Sequence, residues 1–191
     1  MKNINDIIDE LRTNEKFRFK HSFGVMETAI ELAKIHGEDI EKIKIAGFLH
    51  DYAKMYSNKE LREFVTEFNL ELDPMIINIK DLSHGPVGAE LIKIKYGITD
   101  EVILNAIRYH TFTDRSMSKF DFILYLADII EPNRKIFHGY HKIKKLAYID
   151  LDEAMILALD KSLKYIIEKG EKIYCESIVL RNNLLDKRKV K

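Results

Sequence analysis

The sequence predicts an all-α fold, one compact helical domain, and three observations predict it. Apolar residues recur at three- and four-residue spacing along almost the whole chain. Only three prolines interrupt its 191 residues. Helix start and stop signals are frequent, whereas no segment reads as a convincing strand.

In chain order the helices fall near 3–14, 19–36, 39–56, 58–68, 74–80, 84–96, 100–110, 119–130, 140–148, 151–169 and 171–186. Gly37 closes the second of these. Ser57, followed three positions later by Glu60, opens the fourth as a capping pair. The stretch "LDPMIINIKDLSHGPVGAE" then places Pro74 and Pro86 between two well-formed helices, so the chain is expected to bend there over something. Gly97 closes the helix that follows Pro86, and Ser118 with Asp121 and Asp150 with Glu153 open two later ones. The tail "DKRKVK" reads as a solvated basic end.

Composition removes several classes of function. Lys+Arg and Asp+Glu balance at 31 each, so no global field favours nucleic acid or an anionic membrane, and any anionic ligand must be held locally. Cys175 is the single cysteine, which excludes an internal disulfide framework and a cysteine-based zinc site and fits a reducing compartment. No apolar run reaches membrane-spanning length, and "MKNINDIIDELRTNEK" carries charges where a signal peptide would need its apolar core. A cytoplasmic protein is expected, with no nucleic-acid or membrane partner.

The informative residues are the ionisable ones that do not fit a plain core. Of seven histidines, His36 precedes Gly37 at a helix end, where an imidazole can cap carbonyls, and His138 and His141 lie in a polar stretch. The other four are embedded in apolar sequence: His21 in "RFKHSFGVMETA", His50 in "FLHDYAK", His84 in "SHGPVGAELI" and His110 in "AIRYHT". Asp51 shares that setting, and Asp128 follows six consecutive apolar residues, Phe122 to Ala127. A lone buried histidine is usually a satisfied core group, but four imidazoles and two carboxylates off any polar helix face need a common compensating charge. A divalent cation supplies it. Imidazole and hard oxygen ligation without thiolate suits Fe, Mn, Zn, Co or Ni. Adjacent helical residues point about 100° apart, so His50 and Asp51 cannot both face one point from a regular turn. A carboxylate bridging two ions is one solution, with His50 serving one ion and Asp51 touching both.

The order His21, His50-Asp51, His84, His110, Asp128 resembles that of the HD-domain metal-dependent phosphohydrolases, in the variant with two extra histidines between the HD pair and the last aspartate. The segments "HSFGVMETAIELA", "AGFLHDYAK", "SHGPVGAELI", "AIRYHT" and "LYLADIIEPNR" are similar to the YqeK-like branch, the symmetrical bis(5'-nucleosyl)-tetraphosphatases. The likeness runs from about Phe17 to Ala158, leaving the C-terminal helices of 151–186 mostly outside it. The resemblance implies an HD fold in which His21, His50, Asp51 and Asp128 hold one metal, and His84, His110 and the bridging Asp51 hold a second. It also implies iron in the site and cleavage of diadenosine tetraphosphate into two ADP. Two departures concern the family's glycine near Thr113 and an arginine in the segment "GYHKIKK", where Lys144 is the replacement the sequence offers.

Two metal ions can lower the pKa of a shared water and clamp phosphate oxygens, so no protein nucleophile is required. Asp51 and Lys54 are the expected catalytic residues, since Lys54 lies three positions after Asp51 and four after His50 on the same helix side. Arg18, Lys54, Arg134 and Thr111 are expected to meet phosphate oxygens, with His84 and His110 bordering the substrate; Arg108 is a weaker candidate. The aromatic residues Tyr52, Phe112, Phe120, Tyr125 and Phe137 fit core packing better than base stacking. A mononucleotide phosphohydrolase such as a 5'-nucleotidase and a non-catalytic nucleotide or metal sensor are the competing readings. The wide apolar face of the 151–169 helix, with Met155, Ile156, Leu159, Leu163, Ile166 and Ile167, is compatible with a homodimer.

Overall fold

The computed structural model describes residues 2–190; Met1 and Lys191, the latter ending the basic tail, lie outside the described residues. Among the described residues there are eleven α-helices and no strand: α1 Ile4–Arg12, α2 Phe19–His36, α3 Ile40–Leu49, α4 Asn58–Glu67, α5 Pro74–Asn78, α6 Lys80–Tyr96, α7 Glu101–Tyr109, α8 Lys119–Ile130, α9 Tyr140–Ala147, α10 Leu151–Glu168 and α11 Cys175–Val190. The capping residues do what their chemistry suggests. Ser57 with Glu60 and Ser118 with Asp121 form reciprocal capping boxes, and Asp150 accepts from the Glu153 amide.

Helix α2 lies along α3 and α8, α7 packs on α3, α6 and α8, and α9 and α10 close the other side of α8. One apolar core runs through all of these, from Ile7 and Leu11 by way of Val25, Phe48 and Leu126 to Leu159 and Leu184. A smaller cluster, Ala53, Leu61, Val65 and Val87, seats α4 on α6. His36 donates from Nε2 to the Ala147 carbonyl at 2.7 Å, so the carbonyl it caps belongs to α9 rather than to its own helix.

Three element boundaries depart from expectation, and the first two bear on the site. The single helix expected over 39–56 is two pieces: α3 stops at Leu49, Asp51 sits at φ −93° and ψ 15°, and a short 3-10 turn carries Tyr52–Met55. The break resolves the geometric conflict at His50-Asp51, because the two side chains no longer have to diverge as neighbours on a regular helix do. Helix α6 begins at Lys80, four residues before the expected 84, so His84 lies inside it and Pro86 deeper still. Pro86 has no amide hydrogen for the Leu82 carbonyl, and the Thr111 hydroxyl donates to that carbonyl instead, at 2.8 Å. Helix α11 starts at Cys175 and runs on through the basic tail, which is exposed from Asp186 to Lys189.

The apolar face of α10 divides in two. Met155, Ile156 and Leu159 are buried, whereas Ile167 remains 63% exposed beside Ile173 and Ile178.

Phe48, two residues before His50, is fully buried with its ring 5.3 Å from Phe17 and 5.7 Å from Phe19. Phe48→Ala is expected to lower stability by about 3–5 kcal/mol, read from urea unfolding. Glu10 of α1 accepts from Lys2 at 2.6 Å and from the Tyr96 hydroxyl at 3.1 Å, and pairs with Lys95 at 3.0 Å. The bond from Lys2, then that from Lys95, holds its carboxyl down to about 2 from an ordinary 4.5. A folded-state pKa below the unfolded one stabilises above the unfolded value and is lost as pH falls. The stability difference between the wild type and Glu10→Gln should therefore be present at neutral pH and vanish between about 4.5 and about 2. Its size is below about 1 kcal/mol, since the group is partly solvated.

Candidate metal centre

The break after α3 puts Asp51 at the meeting point of four imidazoles from four different elements. Its carboxylate is 2% exposed and divided between them. Oδ2 lies 3.4 Å from His21 Nε2 and 3.5 Å from His50 Nε2, while Oδ1 lies 3.1 Å from His84 Nε2 and 3.6 Å from His110 Nε2. Within each pair the Nε2 atoms approach closely, 3.3 Å for His21 and His50 and 3.2 Å for His84 and His110. Asp128, from the last turns of α8, brings Oδ1 to 3.1 Å from His21 Nε2 and 3.7 Å from His50 Nε2. It therefore joins the first pair only.

The other face of each ring is already committed. His50 Nδ1 bonds to the Gly47 carbonyl at 2.8 Å, His84 Nδ1 to Lys80 at 3.1 Å and His110 Nδ1 to Ile107 at 2.6 Å. A carbonyl only accepts, so each Nδ1 carries a hydrogen, and in the neutral ring Nε2 is left as a bare lone pair directed at the centre. Burial first, and the neighbouring imidazoles after it, push His110 down to about 4, which keeps that ring neutral. Burial alone would raise the Asp51 carboxyl; positive charge on the surrounding imidazoles, His50 foremost, would hold it well below the carboxylate range, a charge that a bound cation takes over when the rings are neutral. Lone pairs facing one another around a buried carboxylate repel unless a positive charge lies between them. His21, His50 and Asp51 offer ligand atoms all within 4.8 Å of one another, and so do Asp51, His84 and His110. Imidazole nitrogen with carboxylate oxygen in two such groups fits divalent transition metals.

Glu131 was missed by reasoning from the sequence, although it lies in the quoted "LYLADIIEPNR". It is 1% exposed, and its Oε1 accepts from His21 Nδ1 at 3.0 Å. Its Oε2 accepts from the Asn133 amide at 2.6 Å and side chain at 2.9 Å. Room for this carboxylate comes from Gly24, where a methyl group would lie 2.5 Å from Oε2. A glycine three residues after a histidine on a helix is the trace that the arrangement leaves in the sequence.

The expected cations take different positions. Lys54 lies loosely between Asp51 at 3.8 Å and Asp81 at 3.9 Å. Arg18 places its guanidinium on Asp51 Oδ2, and Arg134 holds the Asp128 carboxylate while also donating to its backbone carbonyl at 2.8 Å. Arg108 is occupied with Asn105, Glu90 and Glu101. Thr111 lines the cleft, with its hydroxyl hydrogen directed at the Leu82 carbonyl. Thr113, where glycine was the family expectation, has φ +58°, and the loop it occupies is fastened to α11 by Ser177, which donates to the Phe112 carbonyl at 3.0 Å. Over the centre opens a cleft of about 610 Å³. His84, His110 and Asp128 lie at its floor, and Lys54 and Arg134 in its wall.

Residues 18–133 match the HD domain family. A protein of Halalkalibacterium halodurans named symmetrical bis(5'-nucleosyl)-tetraphosphatase is 39% identical over 168 residues, covering 88% of this chain and 89% of that one. A Bacillus subtilis protein of the same name is 37% identical with the same coverage. A crystal structure from Clostridium acetobutylicum, described as a predicted HD superfamily hydrolase involved in NAD metabolism, matches with a TM-score of 0.91 at 39% identity, over 98% of this chain and 99% of that one.

Replacing Glu131 by glutamine keeps its volume and removes the charge behind His21. Metal affinity measured by competition with a chelator should fall roughly 10- to 100-fold. Unchanged affinity would mean that the carboxylate only packs.

Proposed function

The chain belongs to the HD domain family, and from that premise we propose that it is a metal-dependent phosphoanhydride hydrolase cutting diadenosine tetraphosphate symmetrically into two ADP. The observation that carries the reading is the Asp51 carboxylate, one oxygen toward each imidazole pair, beneath a cleft walled by cations. The names borne by relatives that align along most of their length support the choice of substrate.

His21, His50, Asp51 and Asp128 would hold one divalent ion and His84, His110 and Asp51 a second, with iron favoured over Mn, Co, Ni or Zn. Such ions supply a water nucleophile at neutral pH and neutralise charge on phosphate oxygens. The chain's own part is positioning. Backbone carbonyls behind His50, His84 and His110 and the carboxylate of Glu131 behind His21 fix all four rings, so no reorganisation is needed when substrate arrives. Lys54 has no close ion pair and can turn its ammonium to the phosphoryl group under attack. Arg134 in the cleft wall, and Arg18 at Asp51, would meet the oxygens on either side as charge builds on the departing phosphate. Water adds across the central anhydride, and each product leaves with two phosphates. One domain working in the cytoplasm on a small nucleotide, with the single exposed Cys175 left as a free thiol, is part of the same proposal.

The decisive experiment is chromatography of the products formed from diadenosine tetraphosphate by metal-loaded protein. ADP as sole product is expected, with turnover and metal content lost together in Asp51→Ala and Asp128→Ala while circular dichroism stays helical. ATP with AMP would overturn the position of cleavage, and full metal content in both variants would overturn the ligand assignment.

A further inference from the structure

The cleft does not end at the metal centre. It runs outward past Arg134 to a second wall made by α10 and the segment before α9, where Lys135, Phe137, Lys161 and Tyr165 line it. These residues differ in kind from the inner ones. Arg134 and Arg18 are each held by a site carboxylate. Lys161 is half-buried, and among the described residues neither it nor Lys135 makes an ion pair or hydrogen bond. The stem of Lys161 passes directly over Gly139, where φ is +102° and a methyl group would lie 2.9 Å from its Cε. The glycine both makes the turn into α9 and clears the path of the lysine. Two exposed rings line the same stretch of cleft, Phe137 at 40% exposure with its ring against Tyr140 and Tyr165 at 61% with Lys169 over one face at 5.7 Å.

Unneutralised ammonium groups next to solvent-facing aromatic rings at one end of a cleft match a phosphate chain followed by a base. Central cleavage of a tetraphosphate leaves two charged phosphates on each side, so the side remote from the ions needs cations of its own. The inner cations are already shared with carboxylates. We infer that the outer wall is a second nucleoside diphosphate half-site, in which Lys161, with Lys135 near it, holds the phosphates of the half not seated on the metals and Tyr165 and Phe137 stack on its base. The inference rests on the dinucleotide reading of the site and adds to it the residues that measure substrate length. Stacking on an aromatic side chain tolerates any base, so this half-site would select for two nucleosides joined by four phosphates and only weakly for adenine.

The test is calorimetric titration of the metal-loaded protein with ADP, comparing wild type with the double variant Lys161→Gln, Tyr165→Ala. Both positions are away from the core, and equal metal content and circular dichroism check that the variant is intact. The wild type should bind two ADP per chain and the variant one, with KM for diadenosine tetraphosphate raised at least about 10-fold and kcat changed far less. A single ADP site in the wild type, or an isotherm unaltered by the double substitution, would overturn the half-site. Two ADP sites in a wild type that yields ATP and AMP would instead fault the cleavage position and leave the half-site standing.

Discussion

The structure depends on one carboxylate being shared. Asp51 is almost fully buried, a placement that costs several kcal/mol unless other charges and hydrogen bonds compensate it. Each of its oxygens faces a different imidazole pair, and the fold around it follows from that arrangement. Helix α3 must stop at Leu49, α6 and α7 must deliver His84 and His110 to one oxygen, and α2 and α8 must deliver His21 and Asp128 to the side of the other. The apolar core that surrounds these helices is ordinary. Its particular shape is the one in which six ionisable groups converge.

Much of this was legible from the sequence because the groups were out of place there. An aspartate after Phe122–Ala127, or a His-Asp pair after Gly47–Leu49, contradicts the periodicity around it, and such a contradiction can be detected without a structure. Capping residues were legible for a similar reason, since their chemistry acts over three positions. What was hidden depends on contacts distant in sequence. Glu131 meets His21 across 110 positions, and nothing near either residue records the pairing except the small size of Gly24. The Thr111 hydroxyl hydrogen is turned to the Leu82 carbonyl, 29 positions away, which Pro86 leaves without an amide partner. The uninterrupted helix expected over 39–56 failed because apolar periodicity continues through a break that the ligand geometry imposes. The rings of Phe137 and Tyr165 carry no sequence signal that separates them from core aromatics, and only exposure distinguishes them.

The cleft accordingly has two walls of different character. On one side nearly all the polar groups are engaged, with Lys54 the exception: three imidazoles by carbonyls and His21 by Glu131, guanidinium groups by carboxylates, the Thr111 hydroxyl by backbone. On the other, Lys135 and Lys161 have no carboxylate partner among the described residues, and the rings of Phe137 and Tyr165 are exposed. A preorganised wall suits the reacting phosphates, where electrostatic stabilisation depends on groups that do not have to move. An open wall suits a part of the ligand that only has to be held.

The repair beside Pro86 bears on how the molecule can move. The Thr111 hydroxyl on the Leu82 carbonyl, and Gly85 set so close that a methyl group would fall 2.8 Å from the Arg108 carbonyl, bind α6 to the end of α7 backbone against backbone. His84 and His110 therefore ride on one rigid body, and thermal fluctuations cannot vary the distance between them independently. Any opening that admits a long ligand and releases its fragments therefore leaves these two ligands of one ion at a constant separation.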